Sequence, residues 1–135
     1  MPWPTRNKRQ SPEAAFQATV IQYLNLRKVS FRAGMEGGQT KLSKVQQGQR
    51  KRLGVSRGWP DIMIHEPRGI WTGLAIELKA PGKYPSPEQR DKLAELRACG
   101  WLCVVQWPKD DWQGVIDFYL CGALVGKAMR LQEAI

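Results

Sequence analysis

Asp61, Glu77 and Lys79 are the residues of this chain whose types and spacing suit chemistry. Fifteen residues separate Asp61 from Glu77, and Lys79 follows two positions on. Asp61 opens the apolar run Ile62-Met63-Ile64, and Leu74-Ala75-Ile76 runs into Glu77. Between them Glu66-Pro67-Arg68-Gly69 has the Pro and Gly of a tight connection, so the two runs predict a β-hairpin. Side chains two apart in a strand share a face, which points Glu77 and Lys79 the same way. A pairing that puts Asp61 on that face gathers two carboxylates and an ammonium at one end of a sheet. Two acidic oxygen ligands with a nearby Lys suit hard-metal phosphodiester chemistry. An ion-paired hairpin without chemistry satisfies the same spacing, so the surrounding elements must decide.

Pro60 suits the start of a strand and biases Trp59 toward an extended conformation. Upstream, Ser11-Pro12-Glu13 reads as a helix start, with Ser as N-cap, Pro at N1 and an acid facing the dipole. That helix is expected to reach about Arg27 with Phe16, Val20, Tyr23 and Leu24 as its apolar stripe. Glu13 and Gln17 lie one turn apart beside the stripe, so Glu13 either faces the sheet or only complements the dipole. Ser30 to Ala33 suits a short strand. After Glu77-Leu78-Lys79, Ala80-Pro81-Gly82-Lys83 is a loop, and Ser86-Pro87-Glu88-Gln89 makes a capping box. The helix it opens runs through Leu93 and Leu96 to Gly100. Trp101 to Trp107 reads as a buried strand. Pro108 to Leu120 reads as a last helix, with Trp112, Val115, Ile116, Tyr119 and Leu120 at core spacing. The pattern alone gives an α/β fold with a mixed sheet.

The ordered set of motifs resembles the PD-(D/E)xK nuclease superfamily, and within it the VRR-NUC (virus-type replication-repair nuclease) family in its stand-alone phage or bacterial form. The matching features are Glu13-x-x-Phe16-Gln17, Gly58-x-Pro60-Asp61, Glu77-x-Lys79 and Ser86-Pro87-Glu88-Gln89, and the likeness spans about residues 11 to 121. It implies a restriction-endonuclease-like core in αβββαβ order, a mixed β-sheet flanked by helices. It implies a metal-dependent DNA endonuclease. Mg²⁺ or Mn²⁺ is then expected on Asp61, Glu77, the Leu78 carbonyl and Glu13, the last directly or through water. Lys79 is expected to orient the attacking water, Gln17 and Gln89 to support the site, and the product to carry a 5′-phosphate. Gln89 also has a sufficient structural reason as a cap, and both readings stand. Stand-alone members imply a homodimer acting on four-way junctions, since a branched junction needs two cuts on opposing strands and a two-fold supplies both.

Composition agrees with a polyanionic partner. The 135 residues carry a net charge of +9 and a pI near 9.8. From Lys41 to Arg57 the chain holds Lys41, Lys44, Arg50, Lys51, Arg52 and Arg57 with no acid, which favours a DNA-contacting element over a plain solvated face. Residues 1–10 are expected to be a basic flexible tail, and residues 11–135 a single nuclease-like domain. No apolar run approaches a membrane span and no signal peptide opens the chain, so a cytoplasmic place in a bacterial or phage-infected cell is expected, without membrane partners. Cys99, Cys103 and Cys121 are expected to be buried and reduced, and a single His leaves a zinc site short of ligands. There is no Gly-rich phosphate loop and no Gly-x-Ser-x-Gly. The rival classes are a non-catalytic nucleic-acid-binding module on the same fold, using its basic face alone, and a purely structural basic protein whose carboxylates are ion-pair partners.

Overall fold

A computed structural model describes residues 11–34, 44–45, 48–49 and 58–122. The first helix, α1, runs Pro12–Leu26, with the Ser11 hydroxyl accepting from the Ala14 N–H. Four strands follow the chain as β1 (Phe31–Ala33), β2 (Ile62–Ile64), β3 (Leu74–Leu78) and β4 (Leu102–Gln106), in the spatial order β1-β2-β3-β4. β1 and β2 are antiparallel, β2 and β3 antiparallel, and β3 and β4 parallel. A parallel pair needs a long crossover, and α2 (Pro87–Ala98) supplies it. The last described helix is α3, Trp112–Leu120. The order αβββαβ expected from the resemblance is therefore present.

The sheet is buried on both faces. Ile62, Ile64, Leu74, Ile76, Leu78, Leu102 and Val104 form one face, covered by Phe16, Val20 and Leu24 of α1 and Ile116 and Tyr119 of α3. Met63, Ala75 and Cys103 form the other, covered by Leu93 and Leu96 of α2 and by Trp101. Each of the three α1 side chains contributes about 1.5–3 kcal/mol by burial. A tie between α1 and α3 adds specificity, because the Tyr23 hydroxyl donates to Asp117, which also pairs with Arg27 at 3.6 Å.

Three expectations need correction. The link between β2 and β3 spans residues 65–73 rather than a tight turn at 66–69. Within it Arg68 and Trp71 exchange backbone hydrogen bonds of 3.1 and 2.9 Å, so Gly69 and Ile70 turn one small ladder inside the longer connection. Second, α3 starts at Trp112 and not at Pro108. Asp110 accepts from the Trp107 N–H at 2.8 Å and Asp111 caps Gly114 at 3.0 Å, two Asp–backbone bonds that hold a turn before the helix. Third, Cys103 is buried but Cys99 and Cys121 are exposed, all three being free thiols. Both exposed cysteines are helix C-caps, where the chain leaves the core.

The connection meets the strand at Gly73, where no side chain fits. A Cβ there would lie 2.4 Å from the Trp101 ring and 2.5 Å from the Ile64 carbonyl oxygen. The first neighbour seals the α2 face and the second belongs to the β2 backbone, so neither yields without breaking packing or pairing. Gly73→Ala is expected to cost about 1–3 kcal/mol, read as a lowered thermal midpoint. An unchanged midpoint would mean that this corner of the sheet is not held closed.

Candidate active site

The antiparallel register brings the acids together. Ile62 stands opposite Ile76, so one step further along the same ladder Asp61 stands opposite Glu77. Both lie on the face covered by α2, as alternation along a strand requires. Glu77 is only 1 % exposed and Lys79 8 %. The Lys79 ammonium sits 3.2 Å from Glu77 Oε1 and 3.7 Å from Glu13 Oε1. Glu13, in the first turn of α1, thus reaches the site from the other side of the sheet and meets Lys79 there.

Backbone and side-chain bonds fix each acid. The Leu78 N–H donates to Asp61 Oδ2 at 2.8 Å. The Asp61 carbonyl accepts from the Gly34 N–H at 2.8 Å, and the Gly34 carbonyl accepts from Gln17 Nε2 at 2.8 Å. Gln17 therefore does not touch the acids; it steadies the Asp61 backbone through the chain leaving β1. Gln89 does touch them. Its carbonyl oxygen accepts from the Ser86 N–H at 2.9 Å as part of the capping box, while its Nε2 donates to Glu77 Oε1 at 3.0 Å. One amide does both, because it has an acceptor at one end for the cap and a donor at the other for Glu77.

The approach to Asp61 explains the Gly-x-Pro motif. Gly58 has φ +87°, and a Cβ on it would come within 2.7 Å of the Glu88 carbonyl oxygen. The backbone thus passes against the first turn of α2, a closeness and a conformation only Gly combines. Trp59 then lies beneath Lys92, whose ammonium is 4.4 Å from the ring centroid, and Pro60 is buried.

Burial dominates the electrostatics. It pushes the Glu77 carboxyl up to about 9, with the adjacent Asp61 charge adding to the rise and Lys79 opposing it. Asp61 is also raised by burial, while bonds from the Leu78 N–H and from Glu77 pull it back. Glu77 Oε2 is buried and receives no donor from the described residues. Two facing carboxyls in this position are stable together only with a shared proton or a cation between them. The donor set suits a hard divalent cation: oxygen ligands, incompletely neutralised, one oxygen uncommitted. Among the described residues no group of three or more Asp, Glu, His or Cys side chains is placed so that it could hold a metal ion. A cation on Asp61 and Glu77 would thus keep several waters among its ligands, as is usual for Mg²⁺.

Of the basic run, only Lys44 is described; it is helical and exposed. Lys41, Arg50, Lys51, Arg52 and Arg57 lie outside the described residues, as do the tail at residues 1–10 and residues 123–135. The structure adds an exposed aromatic the sequence reading passed over, Tyr84, packed edge-on against Trp107 in the loop after Lys79. Its signal was weak, an isolated ring among Pro, Gly and Lys with no strand or helix period.

Glu77 ties stability to pH. Its folded pKa lies above the ordinary carboxyl value of 4.5, so the folded state binds the proton more tightly. That stabilisation is complete below about 4.5 and is lost as pH rises toward about 9. Glu77→Gln removes the titration and leaves Glu13 as partner for Lys79. In EDTA the variant is expected to melt near wild type at pH 4 and above it at pH 8.5, the gap widening as pH rises. Parallel melting curves at every pH would show that Glu77 is not held as described.

The VRR-NUC domain matches residues 11–106 of the chain. That span runs from the Ser11 cap to the end of β4 and contains every residue of the site. A solved structure named VRR_NUC domain protein aligns with a TM-score of 0.68 at 25% sequence identity, covering 82% of this chain and 88% of that one. Among curated proteins no match is found. Among the described residues no helix is long and apolar enough to cross a membrane. With the domain match over most of its length and the likeness in fold, this chain belongs to the VRR-NUC family and has a nuclease-type function with DNA as substrate.

Proposed function

We propose that the chain is a Mg²⁺- or Mn²⁺-dependent deoxyribonuclease that cuts branched DNA as a homodimer, with Asp61, Glu77 and Lys79 as its catalytic residues. The observation that carries this reading is the buried Glu77 carboxyl, opposite Asp61 and beside Lys79, with Oε2 lacking a donor. Asp61 and Glu77 would hold the cation, with the Leu78 carbonyl adding a ligand and Glu13 joining directly or through water. The cation supplies Lewis-acid neutralisation of charge building on the phosphate.

The chain's own groups do the positioning. Gln89 engages Glu77 Oε1, and Oε2, without a donor among the described residues, would be the oxygen offered to the cation. The Leu78 N–H likewise fixes Asp61 by one of its oxygens. Lys79, held between Glu77 and Glu13, orients the attacking water and offsets negative charge in the transition state. Lys44 and the other basic residues of the 41–57 run contact DNA phosphates, and the net charge of +9 favours that encounter. One chain supplies one such site and breaks one strand at a time. Resolving a four-way junction takes two opposed cuts, which a two-fold dimer provides.

Asp61→Ala and Lys79→Ala are each expected to lower cleavage of a mobile four-way junction by at least about 100-fold while leaving DNA binding within a fewfold of wild type. Light scattering on the same preparation is expected to give a dimer, and the junction to be cut in preference to a duplex of equal length. A Lys79→Ala variant cutting at the wild-type rate would remove Lys79 from the chemistry. A monomer cutting both DNAs alike would remove the junction and leave a general nuclease.

A further inference from the structure

Aromatic side chains stand close in sequence to both catalytic acids, and the site as described uses neither of them. Trp59 precedes Asp61 by two residues and is 38 % exposed, with Lys92 over its ring. Tyr84 follows Lys79 by five residues and is 71 % exposed. Five residues span at most about 18 Å of chain, so Tyr84 lies within a few nucleotides of any phosphate bound at Lys79.

An exposed ring alone means little, because scattered surface aromatics are common. Tyr84, however, sits in a braced loop. The Lys83 N–H closes a turn onto the Ala80 carbonyl at 3.0 Å, and Trp107 Nε1 donates to the Lys83 carbonyl at 2.9 Å. Trp107 is itself anchored by its N–H to Asp110 and meets the Tyr84 ring edge-on, centroids 5.8 Å apart at 62°. The same bracing joins the loop to the site: Trp107 follows Gln106, whose carbonyl accepts the Lys79 N–H at 3.0 Å. A large ring thus stands in water at a set place, supported at its side, with exposed Lys83 next to it and exposed Arg90 on α2. The folding energy has been given to presenting this ring rather than burying it.

We propose that Tyr84 is a base-stacking residue that holds an unpaired nucleobase of the DNA beside the scissile phosphate, and that it gives the site its preference for branched over fully paired DNA. The proposal rests on the nuclease reading above. Within a paired duplex both faces of each base are covered by neighbours, so a ring at the surface has nothing to stack on. At a branch or a splayed end one face is open, and an aromatic ring takes it whatever the base, since every base offers a π-face. Lys83, its neighbour in sequence and also exposed, suits a phosphate next to that base. Stacking of this kind discriminates by structure and not by sequence.

The test compares wild type, Tyr84→Ala and Tyr84→Phe on a forked DNA and on a fully paired duplex of equal length. The fork carries 2-aminopurine at the first unpaired position, and binding is measured in EDTA so that the DNA stays intact. Tyr84→Ala is expected to lose about 5- to 150-fold in affinity for the fork, the range for one stacked base, with duplex affinity within about twofold of wild type. Tyr84→Phe keeps the ring and is expected to bind the fork as wild type does. The 2-aminopurine emission is expected to be quenched by wild type and Tyr84→Phe and not by Tyr84→Ala. Because Tyr84 is exposed, the variants are expected to melt with wild type, and a thermal midpoint checks it. Unchanged fork affinity in Tyr84→Ala, equal losses on fork and duplex, or unquenched emission in wild type would each overturn the stacking role. Wild-type cleavage on addition of Mg²⁺ in that case leaves the nuclease reading standing, whereas protein that binds neither DNA and cuts neither removes both.

Discussion

A carboxyl buried to 1 % exposure, that of Glu77, is the constraint on which the site depends. An ionised group so far from water needs compensation, and a fold seldom places one there without a partner to supply it. Lys79 and Gln89 both address Oε1, the first at 3.2 Å and the second at 3.0 Å. Nothing in the described chain donates to Oε2, and the neighbour across the ladder is another acid. The arrangement is stable with a proton in it and suited to a cation. Most proteins avoid such a cluster, so its survival here at the mouth of a well-packed sheet is the kind of local conflict that marks function.

The rest of the fold can be understood as what holds that conflict in place. Antiparallel pairing of β2 with β3 sets Asp61 against Glu77, and a slip of one residue would put the two acids on opposite faces of the sheet. Parallel pairing of β3 with β4 demands a crossover, and the helix that makes it delivers Gln89 to Glu77 by way of its own cap. Gly58 lets the approach to Asp61 lie against the same helix turn. From the far side, α1 brings Glu13 to Lys79 and, one turn later, Gln17 to the backbone that braces Asp61. Five elements thus converge on one end of the sheet, while the apolar faces supply the stability that offsets the buried charges.

Much of this was legible in the sequence, for identifiable reasons. The α1 and α2 starts carry Ser-Pro caps, short-range signals that need no tertiary knowledge. β2 and β3 are apolar runs ending or beginning in an acid, and the motif order gave the superfamily likeness. Less legible was anything fixed by the chain's return on itself. The 65–73 link resembles a tight turn because Pro67 and Gly69 are turn residues; the fold uses Gly69 in a smaller ladder, after which Thr72 reaches the α2–β4 corner and bonds Gly100. The α3 start was read too early because Asp110 and Asp111 serve turn and cap at once. The double use of Gln89 lay open as two alternatives, since a capping box shows one end of the amide and only the fold shows the other. Tyr84 had no periodic signal at all, because its place is set by Trp107, a contact across 23 residues.

Family membership places the chain among nucleases, and its geometry sets two carboxyls, both raised by burial, against each other at one end of the sheet. The most direct measurement is calorimetric titration of Mn²⁺ into chelator-stripped protein, run on wild type and on the double variant Asp61→Asn with Glu77→Gln. The account predicts saturable binding of Mn²⁺ to wild type and its loss in the double variant, with both proteins still folded by thermal melting. Equal Mn²⁺ binding by the two proteins, or none by wild type, would contradict a metal site built on Asp61 and Glu77.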